Sequence, residues 1–418
     1  MKKVYILSVL LLLGLVLSQF LPLFFESYGN FAHIIKVGTM VCLAFIMIHV
    51  GYEFEIQKNK MKEYGYDYLI AFTAATFPWI LVCIYFVLFL VPENTSTGDA
   101  WIQSLLASRF AAPTSAGVLF SMLAAAGLAT TWVFKKTRIL AIFDDLDTVI
   151  LMIPLQMLII GFKIQLLFIL VVMFVLIWLA WRYLHVIKLS VRWKNVLFYA
   201  ILIAGVAELI YFTSKTIDET VTVHIEVLLP AFVLGTMISK NYNRIKTDNG
   251  REEDVLELES EKKTSFIVSA IFMVLVGLSM PVLEGIATTG SNAIKIDGEI
   301  SNAYIGGKDN TPIMTEAKAT FDWGIVLLHV LIVTLLSNLG KIVPAFVYRK
   351  EAPWRERLAV AVSMFPRGEV GAGVLIISMS YGISGMIITV SMLSLALNLM
   401  LTGLFIIIVR RLISRNRK

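Results

Sequence analysis

The sequence predicts an all-α polytopic membrane protein with about twelve transmembrane helices. Composition is the first reason: hydrophobic residues make up 58% of the 418 positions, charged residues make up 16%, and the mean hydropathy is +0.80. A soluble globular protein carries about 25% charged residues. The second reason is a succession of apolar segments, each near the roughly 20 residues that cross a bilayer. The third is that two of these segments are interrupted at corresponding places in the two halves of the chain.

Twelve segments have the length expected of a span. They cover residues 4–25, 31–53, 67–92, 101–128, 138–161, 163–182, 195–213, 221–239, 264–286, 322–348, 357–381 and 385–410. The first follows Lys2 and Lys3 in the manner of a signal peptide, but its apolar run continues through Phe25 without a small-x-small cleavage site. We therefore expect an uncleaved first helix.

Two longer polar stretches separate the spans. Residues 240–263 include a charged run at 251–254 and are typical of a solvated loop. Residues 287–321 are rich in Gly, Asn and Thr and could accommodate a short hairpin. Neither stretch is long enough for a further domain, so we expect residues 1–418 to form a single membrane domain.

The distribution of basic residues predicts the orientation. With the N-terminus inside, the cytoplasmic segments hold most of the 36 Lys and Arg, as the positive-inside rule requires. The outside loops hold Lys163, Lys215, Lys295, Lys308 and Lys318. Both termini are therefore predicted to be cytoplasmic. The net charge of +6 reflects basic loops near a lipid bilayer and does not indicate a nucleic-acid partner.

Metal-centre, redox and enzymatic chemistry find little support in the sequence. Cys42 and Cys83 both lie in apolar runs, and none of the five histidines stands at the His-x-x-x-His spacing typical of zinc. No nucleophile–base pair or nucleotide motif stands out. The sequence therefore predicts neither an enzyme nor a bound cofactor.

Charges inside the spans mark candidate functional residues. Four basic residues lie there: Lys36, Arg109, Lys341 and Arg367. A charge at the centre of a membrane helix costs at least about 2.5 kcal/mol, so each needs a reason. Lys36 lies near the outer end of its span, where its ammonium can reach the interface, and we expect it to have a structural role. The other three accompany an acidic cluster and the interrupted spans.

The acidic cluster Asp144-Asp145-Leu146-Asp147 lies in the fifth span. Three carboxylates within four positions of an apolar helix repel one another and need a cation, a proton or a basic partner. Asp144 and Asp145 are about 100° apart on a helix, so one can face a lysine while the other faces a water-filled funnel. The alternative to an ion-binding role is a structural salt bridge that holds two helices together. Asp147 is either structural or an accessory carboxylate.

Lys341 in the tenth span is the predicted basic partner. It lies about seven residues from the cytoplasmic end of its helix, and the aspartates lie about six residues from the end of theirs, so both are roughly 10 Å deep. If the fifth and tenth helices are neighbours, the lysine and an aspartate meet at one depth. The alternative to this pair is a lysine whose side chain extends along the helix and places its ammonium at the cytoplasmic membrane interface.

The interrupted segments are the fourth and eleventh spans. Residues 113–117 (Pro-Thr-Ser-Ala-Gly) break the fourth, and residues 365–373, which include Pro and three Gly, break the eleventh. A simple kink would explain either Pro alone. The two interrupted spans are seven spans apart, and an odd offset means that the second unit crosses the membrane in the opposite direction. Spans 3–5 should therefore match spans 10–12 as inverted repeats whose breaks cross. Arg109 and Arg367 would compensate negative half-helix ends there, and Glu369 would compensate positive ends or pair with the arginine.

Together these residues resemble the monovalent cation:proton antiporter superfamily, especially its bacterial sodium/proton antiporters with a double aspartate. The motifs that carry the resemblance are Phe143-Asp144-Asp145, Lys341, Ala112-Pro113-Thr114-Ser115, Pro366-Arg367-Gly368-Glu369-Val370-Gly371, Gly51-Tyr52-Glu53-Phe54 and Pro230-Ala231-Phe232-Val233-Leu234-Gly235. They span nearly the whole chain.

The resemblance implies a site that Na⁺, or another monovalent cation, shares with protons. Asp145 would be the main cation ligand and proton carrier, and Asp144 would be the second carboxylate at the ion and pair with Lys341. The hydroxyls of Thr114 and Ser115, with backbone carbonyls freed at the break, would complete an oxygen shell.

The resemblance also implies the organisation of the chain. Core helices at about 67–161 and 322–410 would move against a dimerisation bundle formed by the remainder, in a homodimer of the bacterial cytoplasmic membrane. A monovalent cation channel and a crossed-helix symporter of the bile-acid type use similar intramembrane charges and are the alternative functions.

The same motifs leave the stoichiometry and the choice of cation open. Lys341 with two aspartates is the electrogenic combination, whereas the Arg-Gly-Glu stretch at 367–369 is more typical of an electroneutral branch. If the cation displaces a proton from Lys341 as well as from Asp145, two protons exchange per ion. Ligand type alone does not separate Na⁺ from Li⁺ or K⁺.

Overall fold

The computed structural model describes most of the chain. The described residues are 2–24, 28–54, 61–91, 95–160, 164–217, 227–246, 252–280, 323–380, 383 and 385–414. The stretch 287–321, for which the sequence suggested a hairpin, lies outside them.

Almost all of the described residues are helical. The helices are α1 (Lys2–Phe24), α2 (Tyr28–Tyr52), α3 (Met61–Phe89), α4 (Thr97–Ser108), α5 (Ala116–Ala125), α6 (Trp132–Ile160), α7 (Ile164–Arg182), α8 (Trp193–Ile217), α9 (Leu228–Met237), α10 (Glu259–Leu278), α11 (Trp323–Gly340), α12 (Val343–Val347), α13 (Trp354–Ser363), α14 (Glu369–Ser380) and α15 (Met386–Ser414). Each of the twelve predicted spans contains at least one of them.

The helices confirm an all-α polytopic membrane protein. Within the described residues, six helices are long and apolar enough to cross a membrane by length and composition, and three shorter ones are apolar. α6 is long enough but is not among the six, because three basic residues near its start and the three aspartates exceed the charge of an ordinary span. The interrupted spans fall short because each is divided into two short helices.

The stretch 240–263, for which the charges predict a solvated loop, includes two short strands. Strands β1 (Arg244–Lys246) and β2 (Glu252–Asp254) form an antiparallel hairpin, and a 3₁₀ turn over Val255–Glu257 follows. The Tyr52 hydroxyl donates to Asp254 Oδ2 at 2.8 Å, which ties the hairpin to the end of α2. The described part of this stretch therefore includes a short hairpin that a long-range hydrogen bond anchors to α2.

The helices pack mainly within two groups. In one group, which we call the crossing group, α3 packs on α4, α6 and α11, and α15 packs on α11 and α13. In the other, the scaffold group, α1 packs on α10, and α2 packs on α8, α9 and α10. α5, α1 and α15 carry contacts between the groups. The division of the chain into a transport core and a dimerisation bundle stays a prediction.

Glycines create two close helix crossings in the scaffold group. A Cβ at Gly14 of α1 would collide with the Val274 carbonyl of α10, beside Gly277, and a Cβ at Gly235 of α9 would collide with the Ile48 carbonyl of α2. In span numbers, the first pair joins spans 1 and 9 (α1 and α10), and the second joins spans 2 and 8 (α2 and α9). An offset of seven spans relates span 1 to span 8 and span 2 to span 9, so the predicted inverted repeat would exchange the two pairs.

Gly235→Leu is expected to lower the melting temperature of the purified protein strongly. The leucine Cβ meets backbone atoms of Ile48, Gly51 and Tyr52, which cannot move as a side chain can, and overpacking of this kind costs about 1–3 kcal/mol. Gly205→Ala is the matched control, since no atom lies within 4 Å of the added Cβ. Equal melting temperatures for the two variants would contradict the close crossing.

Candidate functional site

The breaks of the fourth and eleventh spans lie against each other. α4 passes through a 3₁₀ turn at Arg109–Ala111 before α5 begins, and α13 ends five residues before α14. The Ser115 N–H donates to the Pro366 carbonyl at 3.0 Å, and the Thr114 hydroxyl donates to the Met364 carbonyl at 3.1 Å. Hydrogen bonds that the prolines remove from the helices are therefore replaced by bonds between the two breaks.

Arg367 joins the carbonyl ends of this crossing. Its Nε donates to Ala111 O at 3.1 Å, Nη1 to Phe365 O at 2.6 Å, and Nη2 to Ser337 O at 2.8 Å. The side chain is fully buried. A guanidinium presents its donors in a rigid fork, so a single arginine satisfies carbonyls from both breaks and from α11. This is the compensation of negative half-helix ends that the sequence predicted for Arg367.

Asp144 lies at the centre of the crossing. Its Oδ2 accepts from Lys341 Nζ at 2.7 Å and from the Thr114 N–H at 2.8 Å. Asp144 and Lys341 are both completely buried. The N–H of Thr114 belongs to the extended break, where no helical carbonyl competes for it. The sequence-predicted partners at one depth are therefore in contact, and the aspartate also binds the positive backbone of the broken helix.

Asp145 faces a different environment from its neighbour. The residue as a whole is half-buried, but both carboxylate oxygens are shielded from solvent and lie within electrostatic reach of Lys341. The Thr114 hydroxyl uses its proton for Met364 O and keeps its oxygen lone pairs for other partners. Ser115 occupies the N-cap position of α5, next to Gly368. Asp144 thus joins Lys341 and the Thr114 N–H in one hydrogen-bonded group, and Asp145 lies within electrostatic reach of the lysine.

A comparison with protein families matches this architecture. Residues 3–409 match the model of the family described as sodium/hydrogen exchanger, transmembrane. The chain belongs to this family. A comparison with curated proteins finds no match. Family membership confirms the predicted superfamily and supports cation:proton antiport in general, whereas the bacterial double-aspartate branch stays a prediction.

Arg109 of the exchanger has partners that the sequence did not predict. Its Nη2 donates to the carbonyls of Asp147 and Thr148 in the intact helix α6, and its guanidinium lies 4.6 Å from the centre of the Trp79 ring. Arg109 is the C-cap residue of α4, but the hydrogen bonds of its guanidinium go to α6, and its expected role at the broken-helix end stays a prediction. Side-chain stacking on α3 turns the arginine towards α6.

Asp147 lies on the same face of α6 as Asp144, as the spacing of three residues requires. It is completely buried, with the Tyr68 hydroxyl as a donor close to its carboxylate. Arg109 and Lys341 also lie within its electrostatic range. Asp147 is thus an enclosed carboxyl group beside the Asp144–Lys341 pair. The side chain of Glu369 lies outside the described residues, and only its place at the start of α14 is known.

Two polar clusters of the exchanger escaped the sequence analysis. Asn338 Nδ2 donates to Asn398 Oδ1 at 2.9 Å between α11 and α15. Lys136 Nζ pairs with Asp67 at 2.9 Å and with Glu351 at 2.8 Å, where α3, α6 and the segment after α12 meet. A polar amide in the middle of the last span was an available signal for Asn398. Lys136 and Asp67 lie at predicted span edges, where charge is ordinary.

Proposed function

We propose that the protein exchanges Na⁺, or another monovalent cation, for H⁺ across the bacterial cytoplasmic membrane by alternating access. Asp145 is the shared cation and proton site, and Asp144 with Lys341 is the supporting pair. The observation that carries this proposal is the enclosed Asp144–Lys341 pair, 2.7 Å apart, at the crossing of two broken helices and next to the half-buried Asp145.

Competition between the two ions follows from the chemistry of this site. A hard monovalent cation prefers oxygen ligands, which the carboxylates and the Thr114 hydroxyl supply. Withdrawal from water favours the neutral, protonated form of a carboxyl group when no cation is bound. Because Asp145 holds either a proton or a cation, each face of the membrane that the site meets can load one ion and release the other.

The packing supports a division of labour between the two groups of helices. The proposed site residues lie in the crossing group, in the two breaks and at the start of α14. The scaffold group holds itself together through the backbone contacts at Gly14 and Gly235. We propose that the crossing group is the transport core and moves against the scaffold group, which also forms the homodimer. Both termini are proposed to lie in the cytoplasm.

The apparent affinity for Na⁺ is expected to fall as the pH falls. If one site holds either ion, mass action raises the apparent KM towards about tenfold per pH unit below the titration of the carboxyl group. Dequenching of a pH dye in inside-out vesicles measures this between pH 6 and 8.5, with K⁺ and Li⁺ in parallel to define selectivity. An apparent KM that is constant over this range would contradict competition at one site.

The same preparation separates an antiporter from the channel alternative. A channel would conduct the cation in proteoliposomes without moving protons, whereas an antiporter moves protons only when the cation is supplied. A symporter of the bile-acid type would require an organic anion. Proton movement driven by Na⁺ alone, saturating in both ions, supports the exchanger.

A further inference from the structure

Two polar rungs hold α11 and α15 in register. Thr334 Oγ1 and Ser394 Oγ lie 2.9 Å apart, and one turn further along both helices Asn338 Nδ2 donates to Asn398 Oδ1 at 2.9 Å. Asn398 is fully buried, and its own Nδ2 donates to the Ser394 carbonyl at 3.3 Å. These bonds define which atom of the Asn398 carboxamide is oxygen, and they orient the carboxamide of Asn338 in turn.

This orientation leaves one polar atom without a hydrogen bond. Asn338 Oδ1 is buried, and no donor in the described part of the chain reaches it. A buried amide oxygen without a donor is destabilising, and in a native protein it calls for an explanation. Because Asn338 Nδ2 already donates to Asn398, Oδ1 is the atom of this carboxamide that is available to another partner.

Lys341 is a donor on the same side of the chain. It follows directly after α11 ends, and its backbone N–H donates to the Asn338 carbonyl at 3.1 Å. This bond spans three residues, as in a 3₁₀ turn, where side chains three positions apart eclipse each other. The Lys341 ammonium has three N–H donors. Within the described residues, one of them donates to Asp144 Oδ2.

We propose that Asn338 is a positioning residue that accepts the Lys341 side chain when a cation takes its place at Asp144. The inference rests on the proposed function. A cation that binds Oδ2 of Asp144 displaces the lysine from that atom. A displaced lysine at this depth needs another acceptor. The amide oxygen of Asn338 is neutral, so it holds the lysine in either protonation state without competing with the carboxylate for the returning ammonium. The hydrogen bond to Asn398 keeps the carboxamide of Asn338 in place.

Asn338→Leu in proteoliposomes tests the proposal, with Na⁺ as the probe. Loss of one hydrogen bond to a charged group should raise the apparent KM for Na⁺ by about tenfold, because the Na⁺-bound state loses its acceptor for the lysine. The stabilising shift in melting temperature that Na⁺ produces should weaken in parallel. Asn338→Ala, which cannot clash, replaces the leucine variant if that protein does not insert.

The neighbouring rung supplies the matched control. Thr334→Val combined with Ser394→Ala removes the other bond between the same two helices and should keep the KM within about twofold of the wild type. In a Lys341→Gln background, Asn338→Leu should have no further effect on the KM, because the lysine that it serves is gone.

Several results would overturn the inference. These are an unchanged KM in folded Asn338→Leu, an equal rise in the rung control, or an equal rise in the Lys341→Gln background. Failure of the proposed function looks different: the wild type would then show no Na⁺-driven proton movement, or Asp145→Asn would retain it.

Discussion

Asp145→Asn is expected to abolish exchange, lowering the rate by at least about a hundredfold, as the loss of a proton-transferring group does. The amide neither binds nor releases the proton, and it offers a cation no negative charge. It has nearly the shape of the carboxylate, so the enclosed pair between Asp144 and Lys341 should persist. Dequenching of a pH dye in inside-out vesicles, normalised to inserted protein, measures the loss.

Asp99→Asn is the matched control for this substitution. Asp99 is exposed in the first turn of α4 and takes part in a local bond with Ser96, so its variant should exchange as the wild type does. Asp144→Asn should behave differently from both. Because Asp144 Oδ2 accepts from Lys341 and from the Thr114 N–H, its loss should reduce stability as well as transport. Normal exchange by well-inserted Asp145→Asn would refute the proposed mechanism.

The sequence predicted those features that depend on the order of residues along one helix. Apolar length defined the spans, and Pro113 and Pro366 defined the breaks, because proline removes a backbone donor wherever the helix lies. Depth is also a property of one helix at a time. Counting residues from the cytoplasmic ends therefore predicted that the aspartates and Lys341 lie at one depth. The family resemblance selected Asp144 as the partner, and the structure contains that contact.

Features that depend on which helices are neighbours, and on their rotation, could not be predicted in the same way. The hydrogen bonds from the Arg109 guanidinium, stacked on Trp79, to carbonyls of α6 were not predicted. Asn338 and Asn398 are 60 residues apart, and only the parallel packing of α11 and α15 makes them a pair. One residue of rotation in either helix would separate the two amides.

Lys341→Gln is expected to have two effects that can be measured separately. The first is on stability, since Asp144 would be left buried without its counter-charge, which costs about 3–5 kcal/mol when one partner of a buried pair is removed. The melting temperature should therefore fall. Asp144→Asn combined with Lys341→Gln leaves no unpaired charge and should recover most of the loss.

The second effect of Lys341→Gln is on the charge moved per cycle. If the lysine loses a proton when the cation arrives, the wild type exchanges two protons for each cation and produces a transient current on a solid-supported membrane. Lys341→Gln should then give slower, electroneutral exchange, and Lys341→Arg should do the same because arginine keeps its proton in proteins. A lysine that only ties α11 to α6 would instead lower stability without changing the current per ion. Absence of current in the wild type would refute two-proton exchange, and a wild-type current in Lys341→Gln would show that the second proton is carried elsewhere.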